Sequence, residues 1–257
     1  MRVPYTHMNG LGNDFIVFSG PLALHAQTIA SLCDRRTGLG ADGVLIVSPL
    51  PDKRVRIQYW NADGSAAEMC GNGLRCTARF AVENSMVRAG NFTVETPVGS
   101  LEVICPEDTS SPIEAQIGTV KVDPKPLVLD GKDFYTASIG NPHAITFVKD
   151  VTKAPVTTLG PLIEHDPHFP HKTNVEFAEI VSPTHIRLRI WERGVGETQA
   201  CGTGMVATAI TAAQRKETQL PATVTVPGGE ARVWLDGAGY ARLLAPVETT
   251  QKGMVDI

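Results

Sequence analysis

The sequence predicts an α+β fold of two pseudo-symmetric domains, each a β-barrel-like sheet around a central helix. Three observations carry that prediction. Trp60-Asn61-Ala62-Asp63-Gly64 leads to Cys70-Gly71-Asn72-Gly73, and Trp191-Glu192-Arg193-Gly194 leads to Cys201-Gly202-Thr203-Gly204, with the tryptophan ten residues ahead of the cysteine both times. Thr93–Gly99 matches Thr223–Gly229 at an offset of 130, one less than the 131 that relates the tryptophans and cysteines. Upstream, Gly12-Asn13-Asp14-Phe15 faces Gly140-Asn141-Pro142-His143, and each runs into an apolar strand, Ile16–Phe18 and Ala144–Val148. A period this long describes two similar domains rather than a solenoid.

The boundaries expected are 1–118 for the first domain and 119–247 for the second, with the tail 248–257 returning to the first. Leu22–Asp34 reads as a helix. Gly38-Leu39-Gly40-Ala41-Asp42-Gly43 has the spacing of a dinucleotide fingerprint, but a helix precedes it and the strand Val44–Val47 follows. The fingerprint needs strand, turn, helix, so this is a helix-to-strand connection with no nicotinamide or flavin attached. Val55–Trp60 is a strand. In the helix Gly73–Asn84, Leu74, Ala78, Ala81 and Val82 share one apolar face. Thr93–Glu95 and Leu101–Ile104 are strands around a Pro/Gly turn. The segment 106–126 is proline-bearing and irregular, which places the crossover there. In the second half His185–Trp191 and Ala231–Leu235 are strands, and the helix Thr203–Arg215 is small or apolar nearly all round, the mark of burial.

Length and composition fit two packed domains: 257 residues, 42% hydrophobic. A net charge of −4 gives no basic footprint for nucleic acid. The N-terminus lacks a signal-peptide core, and the longest apolar helical stretch, 205–213, is too short to span a bilayer. Cytoplasmic residence, no nucleic acid and no membrane are therefore expected. Five cysteines, an odd number with no C-x-x-C, argue against a disulfide framework and against zinc. Cys33, Cys76 and Cys105 sit in apolar patterns and read as small core hydrophobes.

Cys70 and Cys201 differ, because each opens a Cys-Gly-x-Gly turn ahead of a helix. A helix N-terminus lowers a thiol's pKa and offers unpaired N–H groups to a carboxylate. An amino acid held there would present its Cα–H to one thiolate and its other face to a thiol. The charge that builds on the carboxylate as the proton leaves would be stabilised where it develops. Such chemistry needs no cofactor and no metal.

These stretches resemble the diaminopimelate epimerase family. The likeness lies in Met8–Phe15, in Asn61–Ser65 through Met69–Gly73, in Gly140–His143, and in Trp191–Gly194 through Ala200–Gly204, and it covers about residues 5 to 255. It implies interconversion of LL- and meso-diaminopimelate without pyridoxal phosphate, in lysine and peptidoglycan synthesis, with the site in a cleft between the domains. It implies that Cys70 and Cys201 transfer the proton, and that His143 and Glu192 tune them. Gly71, Asn72, Gly202 and Thr203 would donate to the reacting carboxylate. Asn13, Asn61, Asn141, Asn174, Glu192 and Arg193 would contact the rest of the substrate, with the planar Arg193 fork suited to a distal carboxylate. Two departures stand out. Some members place a glutamine on the ligand where this chain has Gly43, and some carry a dimer-contact tyrosine where it has Gln251, which leaves a homodimer open. The alternatives are a proline or hydroxyproline racemase, which has no second carboxylate for Arg193, Asn61 and Asn174 to meet, a phenazine-type isomerase, which would not need both cysteines, and a thiol sensor, which leaves the Asn/Arg set unexplained.

Overall fold

The computed structural model describes residues 1–67 and 70–257. Met69 of the first cysteine motif lies outside them. The chain divides into two compact units, Met1–Ala115 with Ala245–Ile257, and Gln116–Leu244.

The first unit starts with β1 (Arg2–Gly10), antiparallel to β2 (Asn13–Ser19). Helix α1 (Ala26–Cys33) then leads to β3 (Gly43–Leu50), which lies parallel to β2. β4 (Arg54–Asn61) returns antiparallel, and α2 (Gly71–Glu83) crosses over to β5 (Gly90–Thr96), parallel to β4. β6 (Gly99–Cys105) closes a two-residue hairpin at Pro97-Val98 and pairs onward with β7 (Ile113–Gly118).

The second unit repeats this order. After the short β8 (Lys121–Val122) and β9 (Leu127–Leu129), β10 (Lys132–Ser138) is antiparallel to β11 (Pro142–Phe147). Helix α3 (Val156–Glu164) leads to β12 (Asn174–Ser182), parallel to β11. β13 (His185–Glu192) returns antiparallel and pairs with the short β14 (Gly196–Thr198). Helix α4 (Gly202–Gln214) crosses to β15 (Ala222–Val226), parallel to β13, and β16 (Gly229–Leu235) and β17 (Ala241–Ala245) follow antiparallel. Finally β18 (Glu248–Asp256) pairs antiparallel along β1 of the first unit.

Each unit is thus a curved sheet around one helix. Residues 71–81 of α2 and 202–212 of α4 are buried without a break, so neither helix has a solvent face along that stretch. α2 packs on β1, β2, β3, β4 and β6; α4 packs on β8, β10–β13, β15 and β16. Gly, Ala and Thr dominate α4, which lets the surrounding strands close in. Inward residues of β5, β6, β15 and β16 alternate with outward ones, the period-2 pattern of a half-buried strand.

Two expectations need correcting, and one helix had no expectation at all. Leu22–Leu24 are not helical: α1 begins at Ala26, and Leu22 and Leu24 instead pack as extended chain against the core around Ile29 and Leu32. The segment 106–126 is not irregular throughout, because its alternating Ile113, Ala115 and Ile117 turn inward as β7. Helix α3, interrupted by Pro161, went unread. Val156, Leu159 and Ile163 form its buried face, a periodicity that proline obscures. Among the described residues no helix is long and apolar enough to cross a membrane.

Candidate active site

In the first unit, Cys70 is the N-cap of α2, extended at φ −140° and ψ 121°, and Sγ accepts from the Gly73 N–H at 3.5 Å. Its thiol donates to Asn13 Oδ1 at 3.4 Å, which also accepts from Asn72 Nδ2 at 3.4 Å. Asn13 is turned that way by Asp42, whose Oδ2 accepts from Asn13 Nδ2 at 2.6 Å. Arg35 bridges Asp42 and Asp14. Burial opposes ionisation of Asp14, but hydrogen bonds from His7 and Arg35 prevail and hold its carboxyl well below the usual range. Gly71 opens the helix.

Beneath this turn lies Arg75, fully buried. Its Nη1 donates to the Gly71 carbonyl at 3.1 Å and its Nη2 to Asn72 Oδ1 at 2.8 Å. No carboxylate among the described residues forms an ion pair with it, and burial pulls its pKa down to about 10. Asn61 is held locally: its Nδ2 donates to Ser65 Oγ at 3.0 Å in the turn after β4. Gly43 pairs opposite Asn61, and a Cβ on it would lie 2.5 Å from the Trp60 carbonyl oxygen. The backbone here is closed against any side chain, which is the physical content of that departure.

In the second unit, Cys201 caps α4 at φ −124° and ψ 112° and is buried, with Sγ 3.3 Å from Thr203 Oγ1. Asn141 Nδ2 donates to Thr203 Oγ1 at 3.2 Å, and its Oδ1 lies 3.1 Å from His143 Nε2. His143 Nδ1 meets Glu176 Oε1 at 2.6 Å, and both side chains are wholly buried. Burial pushes the Cys201 thiol well above its ordinary value, and the Glu192 and Glu176 carboxyls add to this. The Thr203 hydroxyl and the Gly204 N–H act against it. Burial likewise raises Glu176, against the opposing pull of His143. Gly202 opens α4 as Gly71 opens α2.

Asn174 acts as a staple. Its Oδ1 accepts from the Arg193 N–H at 3.0 Å and its Nδ2 donates to the Pro142 carbonyl at 3.0 Å. Glu192 accepts from Thr198 Oγ1 at 2.6 Å across the β13–β14 hairpin. The exposed Arg193 donates through Nη1 to the His171 carbonyl at 3.2 Å.

Three acids escaped the sequence reading, the first being Asp42 beside Asn13. Glu176 shares a strand face with Asn174 two residues earlier, and an acid on the inward face of so apolar a strand was the available signal. Glu164 at the end of α3 accepts from Trp191 Nε1 at 2.7 Å and from the Gly194 N–H at 2.9 Å, which fixes the turn carrying Glu192 and Arg193. Nothing local marks it, because its partners come from 27 and 30 residues away. Burial also raises the remaining thiols, Cys33 and Cys105 to about 11 and Cys76 to about 12.

The molecule is therefore a duplicated α+β protein with a thiol capping the buried central helix of each half. Its fold is that of a Bacillus anthracis phenazine biosynthesis protein of the PhzF family, with a TM-score of 0.79 over 100% of both chains at 15% identity. A family model described as diaminopimelate epimerase matches residues 5–122 and 135–245. The chain is 39% identical to the diaminopimelate epimerase of Stutzerimonas stutzeri, over 93% of each chain. It is 35% identical to that of Oceanobacillus iheyensis, over 99% of this chain and 98% of that one. The chain belongs to the diaminopimelate epimerase family.

Proposed function

We propose that this protein interconverts LL- and meso-2,6-diaminopimelate by two-cysteine proton transfer, and so serves lysine and peptidoglycan biosynthesis. The observation that carries the reading is the family match over nearly the whole chain, with both helix-capping cysteines inside the matched segments. One thiolate removes the α-proton and the other thiol returns a proton to the opposite face, so the centre inverts without pyridoxal phosphate or another cofactor. The first-turn N–H groups at Gly71, Asn72, Gly202 and Thr203 meet the carboxylate as negative charge develops on it. Asn13 and Asn141 orient the polar groups around each thiol. His143 and Glu192 tune the thiols. Asn61, Asn174 and Arg193 hold the distal amino-acid end, where the guanidinium is matched to the second carboxylate.

The distal end sets the choice of substrate, so a substrate panel tests the proposal. LL-diaminopimelate should be converted to the meso isomer, while L-proline, hydroxyproline and single-centre amino acids should be turned over at least a hundredfold more slowly, the penalty for leaving a binding fork unfilled. Comparable turnover of proline would overturn it.

A further inference from the structure

The two halves correspond strand for strand, and their parallel registers show which residues match. Phe15 lies opposite Gly43 and Val17 opposite Leu45 in the first half; His143 lies opposite Asn174 and Ile145 opposite Glu176 in the second. Phe15 therefore corresponds to His143, and Leu45 to Glu176. In the first half this pair is hydrocarbon packed under the helix turn: a Cβ on Gly73 would meet Leu45 at 3.4 Å and Phe15 at 3.6 Å. In the second half an acid and an imidazole fill the same place, and a Cβ on Gly204 would meet Glu176 Oε1 at 2.7 Å and Cys201 Sγ at 3.5 Å. All four side chains are buried. Burying an acid and an imidazole where hydrocarbon would pack is costly. The polar pair backs Cys201 alone.

Its hydrogen bonds have a direction. An amide oxygen only accepts, so the 3.1 Å contact of Asn141 Oδ1 places a hydrogen on His143 Nε2. An amide nitrogen only donates, so Thr203 Oγ1 accepts from Asn141 and keeps its own hydrogen for Cys201 Sγ. With Nε2 protonated, one proton is shared across the 2.6 Å contact between Nδ1 and Glu176, and the pair is neutral as a whole. That agrees with Glu176 Oε2, which is buried and finds no hydrogen-bond donor among the described residues.

We propose that Glu176 is a positioning residue for Cys201: through His143 and Asn141 it turns the Thr203 hydroxyl so that its hydrogen points at the sulfur. The first half does the reverse by other means. Asp42 takes the amide nitrogen of Asn13, so Cys70 meets an acceptor, Asn13 Oδ1. In these side-chain contacts, Cys70 meets an acceptor and Cys201 a donor, while the Gly73 N–H also reaches Cys70. The acidic side chains facing Cys201 are Glu192 and Glu176, and both oppose its ionisation, Glu176 with its charge offset by the proton it shares with His143; the Thr203 donor is the side-chain group that favours it. The proposal rests on reading Cys201 as a proton-transfer thiol.

The test is the alkylation rate of Cys201 with iodoacetamide at pH 8, resolved by peptide mass spectrometry on the full-length protein without substrate. Glu176→Leu and Thr203→Val should each slow it about tenfold, the loss of one hydrogen bond to a thiolate. The double variant should be no slower than either single one, because both break one chain. Faster alkylation in Glu176→Leu would mean that only a negative charge had been removed. An unchanged rate would mean that Glu176 only packs, and additive slowing would mean that the two act separately; each overturns the proposal. If Glu176→Leu does not fold, His143→Leu breaks the same link and is judged by the same outcomes. The readout needs no turnover, so a wild-type protein inactive on LL-diaminopimelate would sink the functional reading and leave this measurement standing.

Discussion

Gly73 and Gly204 occupy the same position, the third residue of α2 and of α4, yet the structure predicts opposite outcomes for the same change to alanine. At Gly73 a methyl group would lie 3.4 Å from Leu45, 3.6 Å from Phe15 and 3.7 Å from Cys70 Cβ, all ordinary contacts. At Gly204 it would lie 2.7 Å from a carboxyl oxygen that is wholly buried and held by His143 at 2.6 Å. Alanine is worth up to about 1 kcal/mol over glycine inside a helix. Overpacking a filled core costs about 1–3 kcal/mol. Gly73→Ala should therefore be neutral or up to ~1 kcal/mol more stable, whereas Gly204→Ala should lose ~0–2 kcal/mol net. Urea unfolding followed by tryptophan fluorescence measures both. Activity should fall further in Gly204→Ala than stability alone explains, because the displaced carboxyl belongs to the chain that ends at Cys201. Equal effects of the two substitutions, or a stabilising Gly204→Ala, would refute the reasoning.

Arg75→Lys should cost about 2 kcal/mol and lower kcat/KM at least tenfold, because the two bonds leave from two nitrogens of a planar fork, Nη1 to Gly71 and Nη2 to Asn72, and lysine puts a single nitrogen on a stem without that fork; unfolding and steady-state kinetics check both. Burial alone would raise the Glu164 pKa, but its bonds to Trp191 and Gly194 hold it below the ordinary 4.5. Its contribution is then complete above that value and lost as pH falls through the lower folded value. Glu164→Gln should therefore flatten the acid-unfolding curve below about pH 4.5 while costing about 1–2 kcal/mol at neutral pH. Cys33, Cys76 and Cys105 should resist iodoacetamide at pH 8 in the folded protein, while the partly exposed Cys70 reacts, which a peptide map reads directly.

What the sequence made legible was whatever is written locally. The Cys-Gly-x-Gly turns, the Pro/Gly hairpins and the apolar helices each carry their own signal, and their repetition exposed the duplication. The helix ahead of Gly38 and the strand after it sufficed to discard a nucleotide fingerprint, and α1 and β3 stand in that order. Hidden from it was whatever depends on partners distant in the chain. Asp42 looks like a turn residue until β3 lies beside β2 and brings it to Asn13. Glu164 and Trp191 meet only once α3 packs on β13. Glu176 could be seen as an acid in an apolar strand, but its match to Leu45 emerges from strand register, not from residue type. Helix α3 was lost because Pro161 breaks the pattern that its buried face otherwise keeps.

The central claim is that two thiols share one inversion, one taking the α-proton and the other returning a proton. Incubation with LL-diaminopimelate in deuterium oxide tests it most directly. The wild-type protein should form meso product carrying deuterium at the inverted α-carbon, and Cys70→Ala and Cys201→Ala should each abolish product. Meso product still formed after loss of either cysteine, or formed by wild type without deuterium, would contradict the account.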